Sequence, residues 1–142
     1  MVLIPALKSR VQDKINCLYP SLGLKIENGQ LKDALDSAFE FVRYGNKYFD
    51  SNEPWKTRTS NPGLCADTLF NCIQIIANLS VMLQPFLPFS SEKVFSWLGV
   101  CSVWRLQNVS CGYVLPEFNL LFERLDKRNA DDESAIHRAN VK

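Results

Sequence analysis

His137 is the only histidine of the chain. It sits among charged residues near the end, with no serine or cysteine nucleophile placed to use it. Five cysteines occur, Cys17, Cys65, Cys72, Cys101 and Cys111. Their number is odd, no two form a CxxC, and one imidazole is too few to complete the usual zinc sets. They read as structural thiols in a reducing cytoplasm, with Cys65 and Cys72, seven apart, as small apolar residues on one helix face. The six glycines are scattered and draw neither GxGxxG nor GxxxxGK[ST], so no phosphate cradle is encoded. Asp131-Asp132-Glu133 reads as a solvated acidic run rather than a metal site. What remains is Pro54-Trp55. An indole beyond a helix end, its geometry set by a proline, offers a stacking face for one unpaired base. It could also be a core tryptophan that closes a helix junction, and the residues alone favour that second reading. Lys47, Lys56 and Arg58 are candidate phosphate contacts or solvated surface groups. Asn46 either ties down nearby backbone or touches RNA.

These residues need elements to hold them. With 142 residues, 46% hydrophobic and 22% charged, the chain is long and apolar enough for one packed domain. Its net charge of +1 provides no broad basic field, so any nucleic-acid binding must rest on stacking and a few placed groups. Ala6, Leu7, Val11, Ile15 and Leu18 recur at helical spacing and predict a first helix over 6–17. Tyr19-Pro20-Ser21-Leu22-Gly23 is expected to break it. Asn28-Gly29 then caps a long helix running to about Asn52, its buried stripe being Leu31, Ala34, Leu35, Ala38, Val42, Gly45 and Phe49. Gly45 suits a close helix crossing.

Asn61 and Pro62 open a third helix over 62–84. Leu69, Cys72, Ile73, Ile76, Leu79 and Leu83 form one face, widened by Ile75 and Val81, which predicts the central helix. Asn71, Gln74, Asn78 and Gln84 interrupt its apolar run, which therefore falls short of a membrane span. Pro85 stops it. Pro88 leads a fourth helix, capped by Ser90 or Ser91 and ended by Gly99. Periodicity is lost from Val100 to Pro116, where loop and a short hairpin are expected. A last helix is expected over 116–126, followed by a polar, mobile tail over 127–142. The fold class is an all-α helical bundle.

Three blocks in order carry a resemblance. Gly45-Asn46-Lys47-Tyr48-Phe49-Asp50-Ser51-Asn52-Glu53-Pro54-Trp55-Lys56 comes first, followed by Leu83-Gln84-Pro85-Phe86-Leu87-Pro88-Phe89-Ser90-Ser91-Glu92-Lys93-Val94. Asn119-Leu120-Leu121-Phe122-Glu123-Arg124-Leu125-Asp126 is the third. Together they resemble the anticodon-binding helical domain of methionyl-tRNA synthetases, class I aminoacyl-tRNA synthetases, over roughly residues 28–126, with 1–27 as an N-terminal helix and connector. The resemblance implies that Trp55 stacks on an anticodon base, with Pro54, Asn46, Lys47, Lys56 and Arg58 around it. It implies tRNA as partner, with methionine-specific tRNA the candidate, and either a catalytic synthetase domain or another protein beside it. Phe122 and Asp126 match a terminal motif whose helix packs towards the catalytic domain; Phe86, Phe89, Phe95 and Trp97 fit a core or domain interface.

The chain departs from the family in two ways. A class I synthetase activates its amino acid with a HIGH-like signature of two histidines and a KMSKS-like loop, and neither exists here. The chain is expected to hold no cofactor, since ATP would belong to a catalytic domain, and to catalyse nothing alone. The family also reads bases with an Asn and an Arg four apart on an earlier helix; no such pair opens this chain. Three readings follow: a C-terminal piece of a ligase-like protein, a free-standing tRNA binder, or a helical bundle serving as a protein-interaction module. The first two share a tRNA partner and a cytoplasmic location.

Overall fold

A computed structural model describes residues 7–123, and among these it contains five helices and no strand. Helix α1 spans Ser9–Glu27, α2 Leu31–Asn52, α3 Pro54–Ser60, α4 Pro62–Leu83 and α5 Pro88–Leu98. Helix α4 touches all the others, as expected of the central helix. By length and composition alone α4 would suffice to cross a bilayer, yet half of its most apolar window is covered by the rest of the chain. It is the helix about which the bundle packs.

The main core takes Val11, Ile15, Tyr19 and Leu22 from α1, Ala34, Ala38 and Phe41 from α2, and Ile75, Val81 and Met82 from α4. Steps of three and four residues put each set on one face. A smaller cluster joins Ala77, Val94 and Leu98 to Val109 of the segment after α5. Gly45 lies where α2 crosses α4: a Cβ there would stand 3.1 Å from Ile75 Cγ2. The close crossing expected from sequence is present.

Several expected boundaries are corrected. Helix α1 runs straight through Pro20. Proline in a helix interior costs about 3 kcal/mol. Here its ring points to solvent while Tyr19 and Leu22, on the inner face, are buried. The burial of those two large side chains carries the helix across the missing N–H. Asn28-Gly29 ends α1 rather than opening α2: Asn28 is the C-cap, and Gly29 takes φ +73°, a left-handed conformation glycine adopts without steric cost. Helix α2 starts at Leu31, which is exposed, as is Phe49 at the other end, while Phe41 fills the core instead. The short α3 was not legible in the sequence.

Helix α4 begins as expected, with Asn61 Oδ1 accepting from the Leu64 N–H at 3.2 Å. Its buried face is turned, however. Leu69 and Ile76 are exposed, whereas Thr68, Asn71, Gln74 and Asn78 are fully buried. Gln74 and Asn78 are buried where the chain beyond α5 lies against them. Gln74 accepts from the Val109 N–H at 2.9 Å and donates to the Val109 carbonyl at 2.7 Å. Asn78 accepts from the Gln107 N–H at 2.8 Å and from the Tyr19 hydroxyl at 2.8 Å, and donates to the Gln107 carbonyl at 3.0 Å. Trp104 closes over α1, donating to the Tyr19 carbonyl at 3.0 Å. Side-chain amides thus supply the partners that a second strand would have offered, and the expected hairpin is absent among the described residues.

Helix α5 starts at Pro88 with Leu87 at its N-cap, so Ser90 and Ser91 lie inside it; Gly99 ends it with φ +63° as expected. Residues 116–123 are not helical. Phe118 contacts Trp97, with ring centroids 5.7 Å apart, and Leu121 packs against the smaller cluster, so this stretch is anchored side chain by side chain. Isolated short helices gain little in water. Phe86 and Phe95 pack against the main core and Trp97 against the smaller one, but Phe89 is exposed. Asp126, His137, Asp131-Asp132-Glu133 and the tail over 127–142 lie outside the described residues.

Candidate nucleic-acid interface

One residue, Glu53, separates α2 from α3, serving as C-cap of the first and N-cap of the second. It holds φ 41° and ψ 59°, the left-handed region, which side chains with a Cβ occupy at a cost. Proline next in line explains part of it, because the residue before proline is pushed away from right-handed helix. The result is a sharp corner. Pro54 then occupies the first position of α3, where its missing N–H leaves nothing unpaired.

The corner is pinned from several sides. Pro54 is buried, and its carbonyl accepts from the Cys65 thiol on α4 at 3.4 Å. Asn52 donates to the Tyr48 carbonyl at 2.7 Å, closing the last turn of α2. Lys56 Nζ lies 2.7 Å from Glu53 Oε1 across the corner. Trp55 projects from this fixed backbone and is 51% exposed. At that exposure Trp55 is not a core residue. Its one aromatic neighbour among the described residues is Phe49, the last large apolar residue of α2, with ring centroids 5.6 Å apart and planes tilted by 48°.

The other candidates fall unequally around this platform. Arg58 is exposed and three residues after Trp55 on α3, so it shares the indole's side of the helix. Lys56 is exposed but engaged with Glu53, a weak surface pair. Asn46 is exposed and one turn before Phe49 on α2, adjacent along that face. Lys47 is exposed too, but two residues from Phe49 puts it about 200° around the helix. It is not on the platform's face. Sequence reasoning missed Phe49 as a member of the site, placing it in the buried stripe. The signal was an aromatic one turn short of a Glu-Pro-Trp junction, where a chain that turns back presents its next side chain to it.

Behind the corner lies Tyr48. Its hydroxyl is buried and has no hydrogen-bond partner among the described residues, while the Lys8 ammonium stands 5.7 Å from its ring centre. Burial pushes its pKa up to about 12, with smaller contributions from Cys72, Tyr44 and Asp67. Cys65 is buried and Cys72 half-buried; both are free thiols, and burial also raises the Cys72 thiol. Among the described residues no group of three or more His, Cys, Asp or Glu is placed to hold a metal ion. Phe122 is exposed and lines an apolar groove of about 300 Å³ between α2, α4 and α5, with Phe39, Ile76 and Leu87.

The family described as the anticodon binding domain of methionyl tRNA ligase matches residues 9–133. This chain belongs to that family. The match begins at Ser9, the first residue of α1, so the whole first helix lies within it. Methionine–tRNA ligase 1 of Alkaliphilus oremlandii is 42% identical over 130 residues, covering 91% of this chain and 24% of the ligase. The methionine–tRNA ligase of Bacillus cereus strain G9842 is 43% identical over 124 residues, 87% of this chain and 23% of that protein. The free-state methionyl-tRNA synthetase of Mycobacterium tuberculosis superposes with a TM-score of 0.72 at 19% identity, covering 87% of this chain and 28% of that one; at that identity it supports the fold. The chain thus spans about a quarter of the length of the relatives it matches.

Proposed function

We propose that this domain binds the anticodon loop of a tRNA, methionine-specific, as the non-catalytic part of methionyl-tRNA ligation in the cytoplasm. The observation that carries the reading is the half-exposed Trp55 on a backbone corner fixed by Pro54, Glu53 and Cys65. A base flipped from the loop stacks on the open face of the indole, and a stacked base contributes about 1–3 kcal/mol. Pro54 sets the platform's backbone. Arg58, on the same side of α3, and Lys56 meet phosphates as the loop passes the corner. Asn46 lies beside Phe49 and serves the same face, while Lys47 meets the backbone from the other side of α2. Family membership supports the reading. Aminoacylation and its ATP belong to the remaining three quarters of a ligase, and a catalytic synthetase domain is the natural neighbour.

The test is Trp55→Ala with fluorescently labelled methionine tRNA, read by anisotropy beside a thermal melt. Binding is expected to weaken by about tenfold or more, with the melting temperature unchanged because the indole is half in water. Unchanged binding with an early melt would show that Trp55 is structural.

A further inference from the structure

The Phe49 ring and the Trp55 indole touch, and this contact limits what the corner can do. Inserting a base between two rings requires them to stand about twice a stacking distance apart, roughly 7 Å. The centroids are 5.6 Å apart and the planes are tilted by 48°. No base enters between them. Phe49 thus occupies part of the indole's surroundings, and an incoming base must approach Trp55 from elsewhere on its exposed surface.

We propose that Phe49 is a positioning residue for the Trp55 platform: its ring packs against the indole, holds it in one orientation and directs stacking to the rest of its exposed surface. This rests on the reading of Trp55 as the stacking residue. The geometry leaves the task to Phe49. Glu53, Pro54 and the Cys65 thiol fix the Trp55 backbone, but none of them restrains the two side-chain torsions of an indole that is 51% exposed. Phe49 is the aromatic neighbour that does. It is itself 37% exposed, and the buried core residues of α2 are Ala34, Ala38 and Phe41, so Phe49 is not one of them. A side chain already held in its bound orientation loses less freedom on binding, and the gain appears as affinity.

The experiment compares wild type, Phe49→Leu, Phe49→Tyr and Trp55→Ala on the full chain. The probe is a short RNA hairpin carrying the methionine anticodon in its loop, with a hairpin of scrambled loop as control. Three readouts are taken: hairpin affinity, thermal midpoint, and the ¹⁹F resonance of 5-fluorotryptophan-labelled Trp55, assigned by its loss in Trp55→Ala. Phe49→Leu is expected to weaken hairpin binding about three- to tenfold, the range an aromatic contact supplies. The Trp55 resonance should shift and broaden in the free protein while the melting temperature holds. Phe49→Tyr, which keeps the ring, should restore both affinity and resonance. If Phe49→Leu binds like wild type while Trp55→Ala does not, the positioning role is wrong and the stacking role stands. If neither variant changes binding, both fall. If Phe49→Leu loses binding only in step with an early melt, and Phe49→Tyr fails to restore it, Phe49 is structural and the proposal is overturned.

Discussion

Tyr19 and Tyr48 are both tyrosines of the helical core region, and the same substitution should act on them with opposite sign. The Tyr19 hydroxyl donates to Asn78 at 2.8 Å. Tyr19→Phe removes a buried hydrogen bond and should cost about 1 kcal/mol. The Tyr48 hydroxyl is buried without a partner among the described residues, so Tyr48→Phe removes an unpaid desolvation and should be neutral or stabilising by up to about 1 kcal/mol. Urea titrations of the two variants check this; equal losses would contradict it. Both side chains also make the fold sensitive to alkali. Burial raises each folded-state pKa above the ordinary value of 10.0, to about 12 for Tyr48. The neutral rings' contribution is therefore complete below pH 10.0 and is lost as the pH rises through the folded values. Melting temperatures should fall above pH 10.0 and fall less in Tyr48→Phe, which a pH series of thermal melts would measure.

Helix α4 and the segment it holds make a second prediction. Gln74→Leu keeps the volume but leaves the N–H and the carbonyl of Val109 buried without a partner, each a penalty of about 1–3 kcal/mol. Leu69→Ala, on the exposed side of the same helix, should stay within about 1 kcal/mol. Chemical denaturation separates the two; equal effects would mean that α4 is rotated from the position described. The same helix shows where the sequence was legible. Its ends were readable because Asn61, Pro62 and Pro85 act through local backbone chemistry. Its inner face was not, because Gln74 and Asn78 are covered by a segment some thirty residues away and Asn78 by Tyr19 of α1 as well, and periodicity assigns amides to solvent. Pro20 misled for a similar reason: the local preference to break a helix is outweighed by Tyr19 and Leu22, whose burial is tertiary. Phe49 was assigned to the core by its spacing on α2, and only the turn at Glu53 brings it to Trp55. The Pro54-Trp55 corner was readable as a junction, though its short helix α3 was not.

At the scale of the whole molecule, the corner presents the half-exposed Trp55 indole, the net charge is +1, and few cations stand on the platform's side. Stacking accepts any base, and phosphate contacts carry no sequence information. Affinity for tRNA should therefore be modest, on the order of 10⁻⁵ M, and preference for the methionine anticodon should be partial. The chain matches only about a quarter of its relatives' length. The most direct measurement is a titration of the domain with methionine tRNA and with a non-cognate tRNA at a single salt concentration. Weak binding, somewhat tighter for the methionine tRNA and abolished when its anticodon loop is deleted, is the expected result. Binding that survives deletion of the anticodon loop, or no binding to either tRNA, would contradict the assignment of this corner as an anticodon reader.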